Sequence, residues 1–168
     1  MATATVMGLK AKSDAAFANI SKQLQGMEPY LDKSDAPGEW TVRQVLCHML
    51  FEPGWDVVTV LKSFSTTNLP LIEIKGGEAD ISGPRATATG KQLLDLLDAQ
   101  RKAVFSYLET LSESDLQRKA RIPLFKQLMG NEQVPMPVYV GALFEYHWND
   151  HAGQLAKIRK AVGLPDAK

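Results

Sequence analysis

The stretch Phe144-Glu145-Tyr146-His147-Trp148-Asn149-Asp150-His151 holds two of the chain's three histidines, four positions apart. On a helix that spacing puts both imidazoles on one face, one turn apart, with Cβ atoms about 5–6 Å from each other. Both can then reach a single metal ion. The helix around them is well marked. Val140, Leu143, Phe144, His147, His151, Leu155, Ile158 and Val162 fall on one face. Pro137 suits its first turn, and Lys157, Arg159 and Lys160 complement the negative end of its dipole. Gly163, followed by Pro165, stops it.

The remaining histidine, His48, lies in a second helical pattern. Trp40-Thr41-Val42-Arg43-Gln44 reads as a helix start, because Thr41 can cap and Gln44 can close a capping box. The pattern predicts a helix over residues 42–64, bent at Pro53-Gly54. Val42, Val45, Leu46, Met49 and Leu50 form its aliphatic stripe. His48 falls to one side of that stripe, near Thr41, Gln44, Phe51, Glu52 and Trp55. A mixed polar and aromatic strip suits a cleft wall. The expectation is that the fold carries His48 to the pair and makes a three-histidine metal site.

Two further helices are predicted, over residues 6–31 with Pro29 as a kink or end, and over residues 91–111. Ser112-Glu113-Ser114-Asp115 breaks the latter and can start one more turn. Residues 65–90 form a long connection, the kind that serves as a flap over a site, with room for a short strand at 69–74. Gly130-Asn131 can close a small hairpin between residues 122–125 and 133–135. Four long amphipathic helices with two long connections predict an all-α, four-helix bundle of non-trivial topology, with residues 1–168 as one domain.

Lys plus Arg and Asp plus Glu both number 19, so the net charge is zero. That balance gives no broad electrostatic footprint for nucleic acid or an anionic membrane. A single cysteine, Cys47, excludes an intramolecular disulfide. The first residues lack a basic segment followed by an apolar run, and no apolar run reaches the roughly 20 residues that span a bilayer. These features lead to the expectation of a cytoplasmic protein with neither nucleic acid nor membrane as partner.

The histidine pair has a plainer reading, as two buried side chains hydrogen-bonded to the core. Two stacked imidazoles are hard to satisfy that way, since four ring nitrogens then need partners in one place. A metal relieves two of them. Three imidazoles leave at least one coordination position open, as in catalytic zinc sites. Imidazole suits zinc, nickel, copper and iron. The residues alone do not choose among these metals, with zinc or nickel as the expected divalent ion.

Other signatures fit worse. A zincin has Glu directly after its first His, where this chain has Trp148, and an inverzincin has Glu directly before its second, where this chain has Asp150. No Gly-x-Ser-x-Gly elbow is present, and Gly76-Gly77 lacks the Lys-Ser/Thr of a phosphate-binding loop. Cys47 points about 100° away from His48 on a helix, so packing is its default role. Glu52, one turn beyond His48, is the candidate base or orienting carboxylate, with an ordinary surface role as the alternative. Asp150 is either an outer partner of the site or a solvated side chain, and Trp55 and Trp148 read as packing.

The run from Trp40 to His48, followed by His147-x-x-x-His151-x-x-Gln154-x-x-x-Ile158-Arg159, resembles the DinB/YfiT-like superfamily. The resemblance spans the whole chain in length and helix order. It implies a four-helix bundle, frequent homodimers, and a divalent metal whose ligands fall on His48, His147 and His151. Some members of that family are metal-dependent transferases or isomerases that use a low-molecular-weight thiol, so a small-molecule substrate or thiol is the implied partner. The functional expectation is a metal-dependent transferase or hydrolase. A non-catalytic ligand-binding or stress-response module, and a metal-free helical dimerisation protein, are the alternatives.

Overall fold

Thr3 opens the first helix, its hydroxyl accepting from the Val6 amide, and α1 runs Ala4–Leu24 with Val6, Ala16 and Ile20 buried. This computed structural model describes residues 2–168. The helix ends before Pro29, which sits instead in a 3-10 turn, Glu28–Tyr30. The predicted capping box is formed: the Gln44 amide donates to Thr41 Oγ1 at 3.2 Å, and Gln44 Oε1 accepts from the Thr41 amide at 2.8 Å. It begins α2, Val42–Met49.

A helix of eight residues is marginal alone. Burial holds this one: Val42, Val45, Leu46, Cys47 and Met49 are all fully enclosed. Truncating Leu46 to Ala would cost roughly 2–5 kcal/mol. Arg43, also buried, ties the N-terminal turn to two other segments. It donates to Asp32 at 2.7 Å and to the carbonyls of Arg85 and Ala88 at 3.1 and 2.6 Å. That ion pair and hydrogen bond hold the Asp32 carboxyl below its usual range.

The expected helix over residues 42–64 is two helices. α2 stops at Met49, and Phe51 takes φ 59°, a left-handed conformation that costs a non-glycine residue about 1–2 kcal/mol. The Phe51 amide closes the end on the His48 carbonyl at 3.1 Å, and Arg85 donates to the Phe51 carbonyl. Asp56 then caps a new helix, α3 (Val57–Ser63), through the amides of Val58 and Thr59. Pro53-Gly54 lies in the break between the two helices, not in a bend of one.

A second capping box, Thr89 with Gln92, starts α4 (Gly90–Leu108). Beyond a 3-10 turn at Asp115–Gln117 come β1 (Lys119–Arg121), α5 (Pro123–Met129) and β2 (Gln133–Pro135). The strands pair antiparallel, with Ala120 opposite Val134. The predicted tight hairpin is therefore corrected. Its first strand lies three residues earlier, and a short helix fills the interval. Gly130 ends that helix at φ 77°, where a Cβ would be strained. The strand expected at 69–74 reduces to one isolated bridge, Leu71 with Arg121.

The last helical run covers residues 136–161 without interruption. It comprises α6 (Met136–Gly141), a π-helical stretch (Ala142–His147) and α7 (Trp148–Ala161). α1 packs on α4 and α7, and α2 packs on the same two. The four therefore form a bundle in which α1 lies diagonal to α2 and α4 lies diagonal to α7, so that of the successive pairs only α2 and α4 pack closely. Among the described residues, no helix is long and apolar enough to cross a membrane.

Candidate metal centre

The α2·α7 contact brings His48 against His147 and His151. His48 Nε2 lies 3.0 Å from His147 Nε2, and His151 Nε2 lies 3.0 Å from the same atom. One ligand atom from each of the three falls within 4.8 Å of the others. Nitrogens about 2.0–2.1 Å from one tetrahedral zinc ion would sit about 3.4 Å apart, so the spacing is of the right size for a shared cation.

The other ring nitrogens decide which atoms face the centre. His48 Nδ1 is 2.6 Å from the Glu78 carbonyl oxygen, which can only accept. His151 Nδ1 is 2.9 Å from Gln154 Oε1, also an acceptor. Each Nδ1 therefore carries the proton, and both Nε2 atoms turn lone pairs toward His147. A neutral His147 has one N–H. Placed on Nε2, it satisfies one neighbour and leaves the other facing it unpaired. Placed on Nδ1, it leaves three lone pairs facing one another, and His147 Nδ1 is buried without a partner. Neither arrangement closes among the three imidazoles alone. A cation at their focus takes up the three Nε2 lone pairs, with the His147 proton on Nδ1, so the residues fit a divalent ion.

Burial enforces neutrality. Desolvation, aided by the neighbouring His151 and His48, pushes the His147 pKa down to about 3. Burial likewise lowers His151, partly offset by its bond to Gln154. Trp40 walls the cluster, stacked nearly parallel on His151 and tilted against His48 at 4.8 Å between ring centroids.

His48 and Glu52 share the wall of a cleft of about 580 Å³, with Lys75, Glu78, Asp80 and Ser82 from the long connection opposite. That connection lies against the site: the Glu78 carbonyl accepts from His48 Nδ1, and Arg85 ties the connection to the end of α2 by donating to the Phe51 carbonyl. Glu52 is exposed and lies on the cleft, apart from the three-nitrogen focus. Cys47 and Trp148 are fully buried packing residues, and burial raises the Cys47 thiol. Trp55 stacks on Phe51. Asp150 is exposed on α7.

Two functional contacts were not read from the sequence. The Glu78 carbonyl is backbone and leaves no sequence signal. Gln154 does leave one, since it sits three positions after His151 on the same helix.

The sequence pattern of the DinB superfamily matches residues 11–155. The chain belongs to the DinB superfamily. Among solved structures it is similar to YfiT from Bacillus subtilis, a probable metal-dependent hydrolase with an unusual four-helix bundle topology. The TM-score is 0.71 at 20% identity, over 98% of this chain and 91% of the other. That likeness establishes the four-helix bundle fold. A comparison with proteins of curated function found no match.

Proposed function

We propose that this protein binds one divalent metal ion through Nε2 of His48, His147 and His151, and that the site is the centre of a metal-dependent hydrolase or transferase acting on a small molecule. The observation that carries the reading is the set of three ring nitrogens facing one point, two of them fixed in tautomer by Glu78 and Gln154. Family membership and the likeness to YfiT support it. Zinc or nickel suits three imidazoles.

A bound divalent ion would supply a Lewis acid with at least one open coordination position. The protein's own residues do the rest. Desolvation keeps His147 neutral and able to bind. The Glu78 carbonyl and the Gln154 amide hold the other two rings with their lone pairs inward. Glu52 faces the cleft beside His48 and is assigned the role of proton acceptor there. A thiol co-substrate, as in some members of the family, would enter through the same cleft.

Adding zinc to metal-free protein tests the binding. At 100 times Kd it should stabilise the fold by about 2.7 kcal/mol, a rise in Tm of roughly 5–10 °C. An unchanged melt would refute it. For the catalytic role, Glu52→Gln should keep full metal content while lowering hydrolysis of p-nitrophenyl acetate. Equal rates for the two proteins would remove Glu52 from the mechanism.

A further inference from the structure

A second cavity, of about 230 Å³, opens beside the histidines and adjoins the first. His48 and His147 stand at its edge. Its wall is mostly apolar and includes Ile74 of the long connection, Leu124, Phe125 and Leu128 of α5, the ring of Tyr139 of α6, and Leu143 of the π-helical stretch. Leu128 is 69% exposed, an apolar side chain left at the rim. This cavity and the larger polar cleft share His48, Phe51 and Lys75. An occupant of both would pass His48, with His147 lining the apolar side.

We infer that the molecule on which the centre acts carries an uncharged aryl or short alkyl group that seats in the 230 Å³ pocket, with its polar end in the 580 Å³ cleft. The inference rests on the functional reading above for what the centre does, but the pocket itself exists without metal. Size sets the class. An apolar protein cavity of about 150 Å³ takes up benzene, so this pocket has room for a phenyl group and a little more. Chemistry sets it too. A charged or strongly hydrated group would lose its water against Ile74, Leu124, Phe125 and Leu143 and gain no partner there. A hydrocarbon group gains by covering them and the exposed Leu128. The position of the pocket then places the bond next to that group, and not a remote one, beside the Nε2 atoms.

The test uses full-length, metal-free protein and two probes, benzyl alcohol and 1,3-propanediol, followed by amide NMR shifts. Benzyl alcohol should shift Gly76, Gly77, Leu128 and Ala142 saturably, and propanediol should not. Ala142→Phe, which fills the pocket from its wall, should raise the Kd for benzyl alcohol at least about tenfold. Leu128→Asp should also weaken binding, and at so exposed a position it leaves the fold intact. Shifts that are absent or non-saturable, or that are identical for the two probes or in both variants, would overturn the proposal. Because no metal is present, probe binding with no metal binding would sink the proposed function and leave this inference standing. The reverse result would do the opposite.

Discussion

Acid should unfold this protein earlier than its carboxylates require, and His147 is the reason. Its pKa is near 3 in the fold, against about 6.5 in an unfolded chain. Between those values the unfolded state binds a proton that the folded state refuses, so stability must fall as pH falls. The full contribution is present above pH 6.5 and is lost progressively toward pH 3. The slope is about 1.4 kcal/mol per pH unit from this one side chain. From pH 7.5 to 5.0 the loss is about 2 kcal/mol, or a drop in Tm of roughly 4–8 °C for a chain of this size. His151, lowered in the same direction, adds to it. The carboxylates with lowered pKa, Asp32 and Asp56, act only below their ordinary value of 3.8 and leave this window clear. The assay is urea unfolding of metal-free protein at half-unit pH steps, beside His147→Gln. Wild type should lose stability across pH 6.5 to 5.0, and the variant should lose clearly less. A flat profile for wild type, or the same slope in both, would refute the picture of a buried neutral cluster.

Two other substitutions probe the site's surroundings. Gln154→Leu removes the acceptor that fixes the His151 ring, and should weaken zinc affinity about 10–100-fold in a chelator competition while the fold stays intact; an unchanged affinity would remove Gln154 from the site. Tyr139 is buried with no partner for its hydroxyl, so Tyr139→Phe should stabilise the metal-free protein by about 1 kcal/mol. A clear loss in its thermal melt would mean that the hydroxyl is satisfied in solution.

The parts of this protein that were legible in its sequence are those set by local spacing. His147 and His151 share a face because a helix turns once in about four residues, and the apolar positions around them mark that face. Thr41 and Gln44 announce the start of α2 because a capping box needs only a three-residue interval. The meeting of His48 with the pair is tertiary, and was reached through its off-stripe position and a family resemblance. The end of α2 was missed for a physical reason. Val57, Val60 and Leu61 continue the apolar pattern past the break, and Phe51 is not a residue type that signals a left-handed turn. The π-helical stretch Ala142–His147 uses ordinary helix formers, so nothing local distinguishes it, although such stretches favour functional sites. The misplaced hairpin was avoidable. Pro123 and Gly130 stand where a short helix begins and ends, and together they outweigh a strand reading of residues 122–125.

His48, His147 and His151 are proposed to hold one metal ion together. The most direct test is the metal-to-chain ratio, by elemental analysis, of wild type and the three single alanine variants, each loaded with zinc and passed through a desalting column. Wild type should retain close to one ion per chain. His48→Ala, His147→Ala and His151→Ala should each retain little, the first despite lying on a different helix from the other two. Full retention in all three variants, or none in wild type, would contradict the account.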